Sequence, residues 1–331
     1  MGADGLTKMA AGLVMTILRG ILNGILPKVP SATAELAIHR PAPRIEPRAV
    51  ANSVCVSLPM TVQRRNAEQF AYRLMENDGK VSDEQLVHML SLWGFAKNHH
   101  RPNVAPKGSS YVFSECFGLV RDRTGRWMQS TVTTMFPNVA KVLNRWLRDR
   151  LRALDHPAFD EPLHDWRWSS CTVNKGYAAE RHRDANNYGP SIVRSFGSNR
   201  GDGLYLWTNE SNKSMESLSR RSAALLDIHR SDRLVAFDGT LPHETKRLAG
   251  NMSDRYSVIF FMAKGSWNSP SEVLDDICEL GCNPPRNAAE ADRFGNKFNQ
   301  WCDSRGFGEW SLPIDDIVHC ADSRNDFDVL D

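Results

Sequence analysis

The chain has 331 residues, 41% of them hydrophobic, and a formal net charge of +2. That length holds one large domain or two of ordinary size, and the near-neutral balance marks neither a general nucleic-acid binder nor an acidic tail protein. Seven cysteines at irregular gaps form no disulfide framework, so a reducing, intracellular compartment is expected.

At the start, Leu6, Met9, Leu13, Ile17, Ile21 and Ile25 recur at roughly helical spacing. Arg19 and Asn23 interrupt the run, so no membrane span is expected. An amphipathic arm that docks on the body, or an organellar targeting segment, fits the pattern. Pro27, Pro30, Pro41, Pro43 and Pro47 then read as a linker, which completes a first segment over 1–50.

Residues 51–160 read as a helical and hairpin region that supports a core. One helix is expected over 61–77, with Val62, Phe70 and Leu74 inside and a stop at Gly79. Ser82 and Gln85 form a capping box for a second helix, whose inner face carries Leu86, Met89, Leu90 and Trp93. Strand-like runs over 111–120 and 127–135, joined by turn chemistry at 121–125, predict a hairpin. Pro137 opens a helix with Val139, Val142, Leu143, Trp146, Leu147, Leu151 and Leu154 inside. Its outer face bears Lys141, Arg145, Arg148, Arg150 and Arg152, either a solvated face or one that tracks phosphates.

The pattern changes over 161–268 to short strands with polar turns, at 171–175, 204–207, 225–229, 234–237 and 256–262. Strands without intervening helices predict a mainly β fold, an antiparallel sandwich or barrel, with helices flanking it (α+β). Residues 191–200, polar and ending past Gly197, read as a mobile loop over the site. The last segment, 269–331, predicts helices over 271–280 and 288–305, then an acid-rich solvated tail from 315. Cys278, Cys282, Cys302 and His319-Cys320 match no zinc template and read as buried thiols.

Within the strand region stands His182-Arg183-Asp184, followed by His243 and then Arg255-Tyr256-Ser257. On a strand, positions i and i+2 share a face, so His182 and Asp184 reach one point. His243 must be returned by a folded-over sheet. Two imidazoles and one carboxylate suit Fe(II) with open positions, better than the closed sites zinc prefers. Arg255 and Ser257 lie on one side of a strand, where a guanidinium fork and a hydroxyl clamp a carboxylate.

This order of His-x-Asp, His and Arg-x-Ser resembles the 2-oxoglutarate and Fe(II)-dependent oxygenases, over about a third of the chain. The resemblance implies a double-stranded β-helix (jelly-roll, cupin-like) core, 2-oxoglutarate as cosubstrate, and succinate and CO₂ as coproducts. Under it, His182, Asp184 and His243 hold the iron, and Arg255, Ser257 and Asn174 face the cosubstrate. More finely, Asn174-Lys175-Gly176, the string from His182 to Ser191, and Gly201-Asp202-Gly203-Leu204-Tyr205-Leu206-Trp207 resemble the ten-eleven-translocation and base-J-binding-protein group. That group oxidises the methyl of 5-methylcytosine or thymine in nucleic acid, and algal members include an ascorbate-using enzyme that modifies 5-methylcytosine. Asn186 and Asn187 stand where the ascorbate branch carries an acid, so 2-oxoglutarate is expected, with ascorbate as the alternative.

The expected partner is then DNA with a flipped base, RNA staying open, in the nucleus if DNA is the target. Substrate contacts are assigned to Arg183, Asn186, Asn187, Tyr188, Ser191 and Trp207, with Phe196 beside them and Arg181, Arg194, Arg200, Arg220 and Arg221 as phosphate contacts. The same chemistry on a protein side chain, as in prolyl hydroxylation, or on a small molecule is one alternative. A non-catalytic jelly-roll binding module is another, disfavoured because buried His and Asp are costly to keep without an ion. Oligomeric state stays open.

Overall fold

The computed structural model describes residues 58–77, 79–153, 166–197, 203–208, 213–229, 233–246, 252–305 and 311–313. The arm and linker over 1–50, Leu154, Arg200, Asp202 and the tail from 315 lie outside them.

Helix α1 (Met60–Glu76) and helix α2 (Asp83–Leu92) form the expected pair. At the start of α2, Gln85 N donates to Ser82 Oγ at 3.2 Å and Ser82 N donates to Gln85 Oε1 at 2.9 Å, the reciprocal capping box. Leu86, Met89, Leu90 and Trp93 are all buried. Strands β1 (Lys97–Asn98), β2 (Val112–Arg121) and β3 (Trp127–Gln129) follow.

The second hairpin strand is shorter than expected. It ends at Gln129, and Thr131–Met135 is helix α3, capped by Ser130, whose Oγ accepts from Thr133 N at 3.3 Å. The β-branched run from Thr131 to Thr134 has strand propensity, but the cap and the bond from Gly118 N to Thr133 Oγ1 at 2.7 Å hold it helical.

Helix α4 (Pro137–Ala153) lies against the first two helices. Two residues of its basic face are spent on packing, while Arg152 is exposed. Arg145 donates to the Asn77 carbonyl at 2.9 Å, while Arg150 pairs with Asp83 and stacks over Trp146 at 4.3 Å.

The core strands are β4 (Ser170–Lys175), β5 (Pro190–Phe196), β6 (Gly203–Leu206), β7 (Ala224–Asp227), β8 (Arg233–Asp238), β9 (His243–Thr245) and β10 (Tyr256–Phe261). Helices α5 (Ser271–Glu279) and α6 (Ala288–Arg305) and strand β11 (Ser311–Pro313) close the described chain. The large sheet runs β1-β2-β4-β10-β5-β8-β11 with β3 beside β2, all its pairs antiparallel. The small sheet runs β7-β6-β9, and an antiparallel bridge between His182 and His243 adds the His182 segment to its edge.

From 170 to 261 the chain therefore visits the large sheet with its first, third, sixth and eighth segments and the small sheet with the others. That order is a double-stranded β-helix. The large sheet runs past the β-helix, since β2 pairs with β4 from Phe113↔Lys175 to Gly118↔Ser170.

The outer face of the large sheet is apolar and covered by helices: Trp146 of α4 stacks on Phe260 at 6.1 Å and meets Phe196 edge-on at 5.6 Å. The inner face carries Ser114, Thr172, Asn174 and Ser257, as period-two alternation requires.

Residues 191–196 correct an expectation. They are no mobile loop but most of β5, buried throughout and hydrogen-bonded between β10 and β8. Their polarity misleads because each polar group has a partner inside the fold. Ser195 N donates to the Ile228 carbonyl at 2.7 Å, and Arg194 reaches Asp83 at 3.1 Å on the helical side.

Candidate metal centre and its cavity

The two sheets enclose a cavity of about 510 Å³. Side chains of β4, β10, β5 and β8 line one wall, and Leu204, His243 and Thr245 of the small sheet line the other. His182 and His243 face each other because their backbones pair, each N–H donating to the other's carbonyl at 2.9 Å. Asp184 does not lie on a continuous strand with His182, contrary to the reading of the sequence. Its N–H donates to the Gly239 carbonyl at 2.8 Å, past the bridge, and a turn follows at once.

The ligand atoms of His182, Asp184 and His243 all lie within 4.8 Å of one another. His182 Nε2 is 3.6 Å from Asp184 Oδ1, and His243 Nε2 is 3.8 Å from Asp184 Oδ2. Among the described residues this is the one group of three or more His, Cys, Asp or Glu side chains placed to share an ion.

The donor chemistry fits a metal. His182 Nδ1–H donates to the Glu180 carbonyl at 2.7 Å and His243 Nδ1–H to the Leu241 carbonyl at 2.9 Å. A carbonyl can only accept, so both rings carry the proton on Nδ1 and present the Nε2 lone pair to the common point. Burial, joined by the neighbouring His243, pulls the His182 pKa down to about 4, so the ring is neutral near pH 7. Asn187 Nδ2 donates to Asp184 Oδ2 at 3.3 Å and to Ser191 Oγ at 3.4 Å, which orients the carboxylate.

Arg255, Ser257 and Asn174 lie in the same cavity. Arg255 is 2% exposed and donates Nη1 to the Tyr177 carbonyl at 2.9 Å. Ser257 pairs in register with Asn174, and Asn174 Nδ2 donates to Ser257 Oγ at 3.2 Å.

The residues assigned to substrate divide. Arg183, Asn186 and Asn187 line the cavity. Ser191 sits one layer behind, fully buried against Asn187. Trp207 is core and no cradle: it is fully buried, and its Nε1 donates to the Ser219 carbonyl at 2.7 Å. Phe196 faces the helices. Tyr188 turns away, donating its hydroxyl to Asp292 and packing on Trp267 at 5.1 Å.

Of the arginines, Arg194 is buried on the far face of the sheet, and Arg181 and Arg220 are both bound to Glu244. These aromatics and cations were assigned by closeness in sequence, whereas strand alternation sends neighbours to opposite faces. Arg221 is exposed and does not line the cavity. Among the cysteines read as thiols, burial pushes Cys282 up to about 12 and also raises Cys278.

Linear order did not reveal Tyr177, Ser114, Thr172 or the rim loop at 98–103, all part of the cavity wall. Tyr177 is the one with a local signal, three residues after Asn174, whose Oδ1 accepts its hydroxyl at 2.8 Å. The others arrive through pairing of β2 with β4 across more than fifty residues.

No family model and no curated protein matches the chain. Among solved structures, the chain is similar to YcfD, a ribosomal oxygenase from Escherichia coli in complex with cobalt and succinic acid. Identity there is 14%, coverage 67% of this chain and 59% of that one, and the TM-score 0.25. A second E. coli YcfD structure matches at 14% identity, 68% and 62% coverage and a TM-score of 0.22. A variant of the oxalate decarboxylase of B. subtilis matches at 16% identity, 35% and 33% coverage and a TM-score of 0.19. The chain thus spans less than two thirds of each of these structures. Similarity at this level carries no argument, and the fold rests on the strand order above.

Proposed function

We propose that the protein is an Fe(II)- and 2-oxoglutarate-dependent oxygenase. The observation that carries the reading is one cavity holding both a His-Asp-His donor set and, at the start of β10, a buried guanidinium just before the strand and a serine on it. His182, Asp184 and His243 would hold the ion, which when bound supplies the oxidising chemistry with O₂. Arg255 offers two parallel N–H groups to a distal carboxylate, and Ser257 adds a hydroxyl donor. Asn187 keeps Asp184 turned to the common point, and the Nδ1 bonds to Glu180 and Leu241 keep both imidazoles from rotating. The balance is substrate C–H, 2-oxoglutarate and O₂ in, and hydroxylated substrate, succinate and CO₂ out.

For the substrate we propose the methyl group of 5-methylcytosine or thymine in DNA, supported by the likeness of the 182–191 and 201–207 strings to base-oxidising enzymes. A specific observation favours a second reading, the same chemistry on a protein side chain or small molecule. Trp207 and Phe196 are core, which leaves Tyr177, Phe237 and Phe261 as the cavity's Phe, Tyr or Trp side chains among the described residues.

The test is anaerobic reconstitution with Fe(II), then O₂, 2-oxoglutarate and DNA containing both bases, with nucleosides read by mass spectrometry and Asp184→Ala as control. An oxidised base that requires 2-oxoglutarate and Asp184 supports the full reading. Succinate without an oxidised base keeps the oxygenase and moves the substrate to the second reading. No succinate under any condition removes the oxygenase.

A further inference from the structure

Three guanidiniums line the cavity: Arg255, Arg183, which reaches the Thr240 and Lys213 carbonyls at 3.4 Å, and Arg101, which the oxygenase reading does not use. Arg101 lines it from the rim loop between β1 and β2. The loop is pinned rather than loose. Asn98 Nδ2 donates to the Ser114 carbonyl at 3.1 Å, Glu180 N donates to the Val104 carbonyl at 3.2 Å, and Val104 is buried against Val112 and Tyr177. Arg101 itself donates Nη1 to Ser114 Oγ at 3.1 Å, and among the described residues no carboxylate pairs with it. Several arginines buried to a similar degree around this fold do have an acid, as Arg64 has Glu115, Arg150 has Asp83 and Arg194 has Asp83. A guanidinium has five N–H donors, and leaving most of them without a protein acceptor in a half-buried site is costly unless an anion arrives.

Arg255 and Arg101 stand at different depths. Arg255 is 2% exposed, deep in the cavity, whereas Arg101 is half-buried with exposed His100 and Asn103 as neighbours on the rim. The Tyr177 phenol lies between their fields. Burial raises its pKa, and the charge of Arg101 is the strongest opposing influence, ahead of that of Arg255. The space is also larger than one cosubstrate needs: about 510 Å³ is the size that takes a drug-sized ligand, and a five-carbon dicarboxylate fills only part of it.

We propose that Arg101 receives an anionic group of the primary substrate, a carboxylate or a phosphate, at the mouth of the cavity, while Arg255 holds the cosubstrate further in. This rests on the oxygenase reading and adds a substrate class to it. The substrate carries a fixed negative charge near the C–H to be oxidised, and Arg101 is a positioning and specificity residue. A phosphate would come from a nucleotide, a carboxylate from an acid or amino acid.

The experiment is isothermal titration of protein loaded with Mn(II), which needs no turnover, in wild type, Arg101→Ala, Arg101→Lys and Arg255→Ala, each with its melting temperature as a check of folding. With 2-oxoglutarate saturating, the probes are thymidine, thymidine 5′-monophosphate, inorganic phosphate and acetate. Arg101→Ala should weaken an anionic probe about tenfold or more, Arg101→Lys should recover part of that, and thymidine should be unaffected. A loss confined to the phosphates assigns a nucleotide-like substrate, and a loss confined to acetate assigns a carboxylate. Titrating 2-oxoglutarate itself should give a value for Arg101→Ala within about twofold of wild type and a loss of at least about tenfold for Arg255→Ala.

A tenfold loss of 2-oxoglutarate in Arg101→Ala would overturn the proposal by making Arg101 part of the cosubstrate clamp. So would phosphate and acetate binding that is the same in wild type and both Arg101 variants. Absence of 2-oxoglutarate binding in the wild type would instead sink the oxygenase reading. The phosphate and acetate titrations, repeated without 2-oxoglutarate, would still decide whether Arg101 receives an anion.

Discussion

Gly239 tests how the Asp184 carboxylate is held. Its backbone is outside the left-handed region, so alanine is conformationally allowed there and the effect is steric. A Cβ on Gly239 would lie 3.1 Å from Asn187 Nδ2, 3.3 Å from Ser191 Oγ and 3.4 Å from Asp184 Oδ2. Comfortable contacts start at about 3.5 Å, so the Asn187 amide must retreat by roughly 0.4 Å. Its bond to Asp184 is already 3.3 Å long, and that retreat takes it beyond hydrogen-bonding distance. The loss is one long hydrogen bond to a charged acceptor, about 1 to 1.5 kcal/mol, or roughly tenfold in metal affinity.

The assay is Mn(II) titration of wild type, Gly239→Ala, Asn187→Ala and the double variant, with melting of the metal-free proteins alongside. Each single variant should bind Mn(II) about tenfold more weakly, with melting within a few degrees of wild type. If the crowding acts through Asn187, the double variant loses no more than either single. Additive losses in the double variant, or wild-type affinity in Gly239→Ala, would refute the reasoning.

Other substitutions probe the remaining parts. Arg255→Lys keeps the charge and loses the fork, so 2-oxoglutarate affinity should fall about tenfold with little change in melting, and an unchanged affinity would mean the cosubstrate is held elsewhere. Glu244, next to His243, is a buried carboxylate shared by Arg181 and Arg220. Glu244→Gln should cost about 3 kcal/mol in denaturant unfolding because Arg181 is left uncompensated. Arg220→Ala, at a side chain 58% exposed, should cost under about 1 kcal/mol, and equal losses would contradict this division.

Burial pushes the Cys116 thiol up to about 11 and Cys282 to about 12, and raises Cys171 well above its ordinary value. The folded state thus prefers the protonated thiols. Their contribution to stability is complete below the unfolded value near 8.5 and is lost progressively as pH rises from about 9 through about 12. Iodoacetamide at pH 8 should therefore leave the buried Cys171 and Cys282 unlabelled in the native protein and label them in denaturant, as read by peptide mass mapping; fast native labelling would show the sites open.

Much of the helical frame and the donor set is legible in the chain alone, because those signals are local. Ser82 and Gln85 announce a helix start by chemistry three residues apart, and His182 and Asp184 are a pair at sequence distance two. Arg255 and Ser257 share a face by period two, and both line the cavity. Where local signals conflict with long-range partners, the reading fails. Residues 191–196 look like a loop because serines and an arginine fill them, yet Asp83 and the Ile228 carbonyl, far away in sequence, satisfy those groups inside a central strand.

The sequence by itself determined the ligand types, their order, the antiparallel β character and the capped helices, since each follows from side-chain chemistry within a few residues. Only the tertiary structure decided which side chains meet. It returned His243 to His182 by a single backbone bridge, and it spent Trp207, Arg181 and Arg194 on packing and ion pairs. It also set β2 beside β4, which carries Ser114 and the Arg101 loop to the cavity. The reason is physical: alternation divides neighbours between two faces, and hydrogen-bond pairing across sheets joins residues whose separation in the chain carries no trace of their contact.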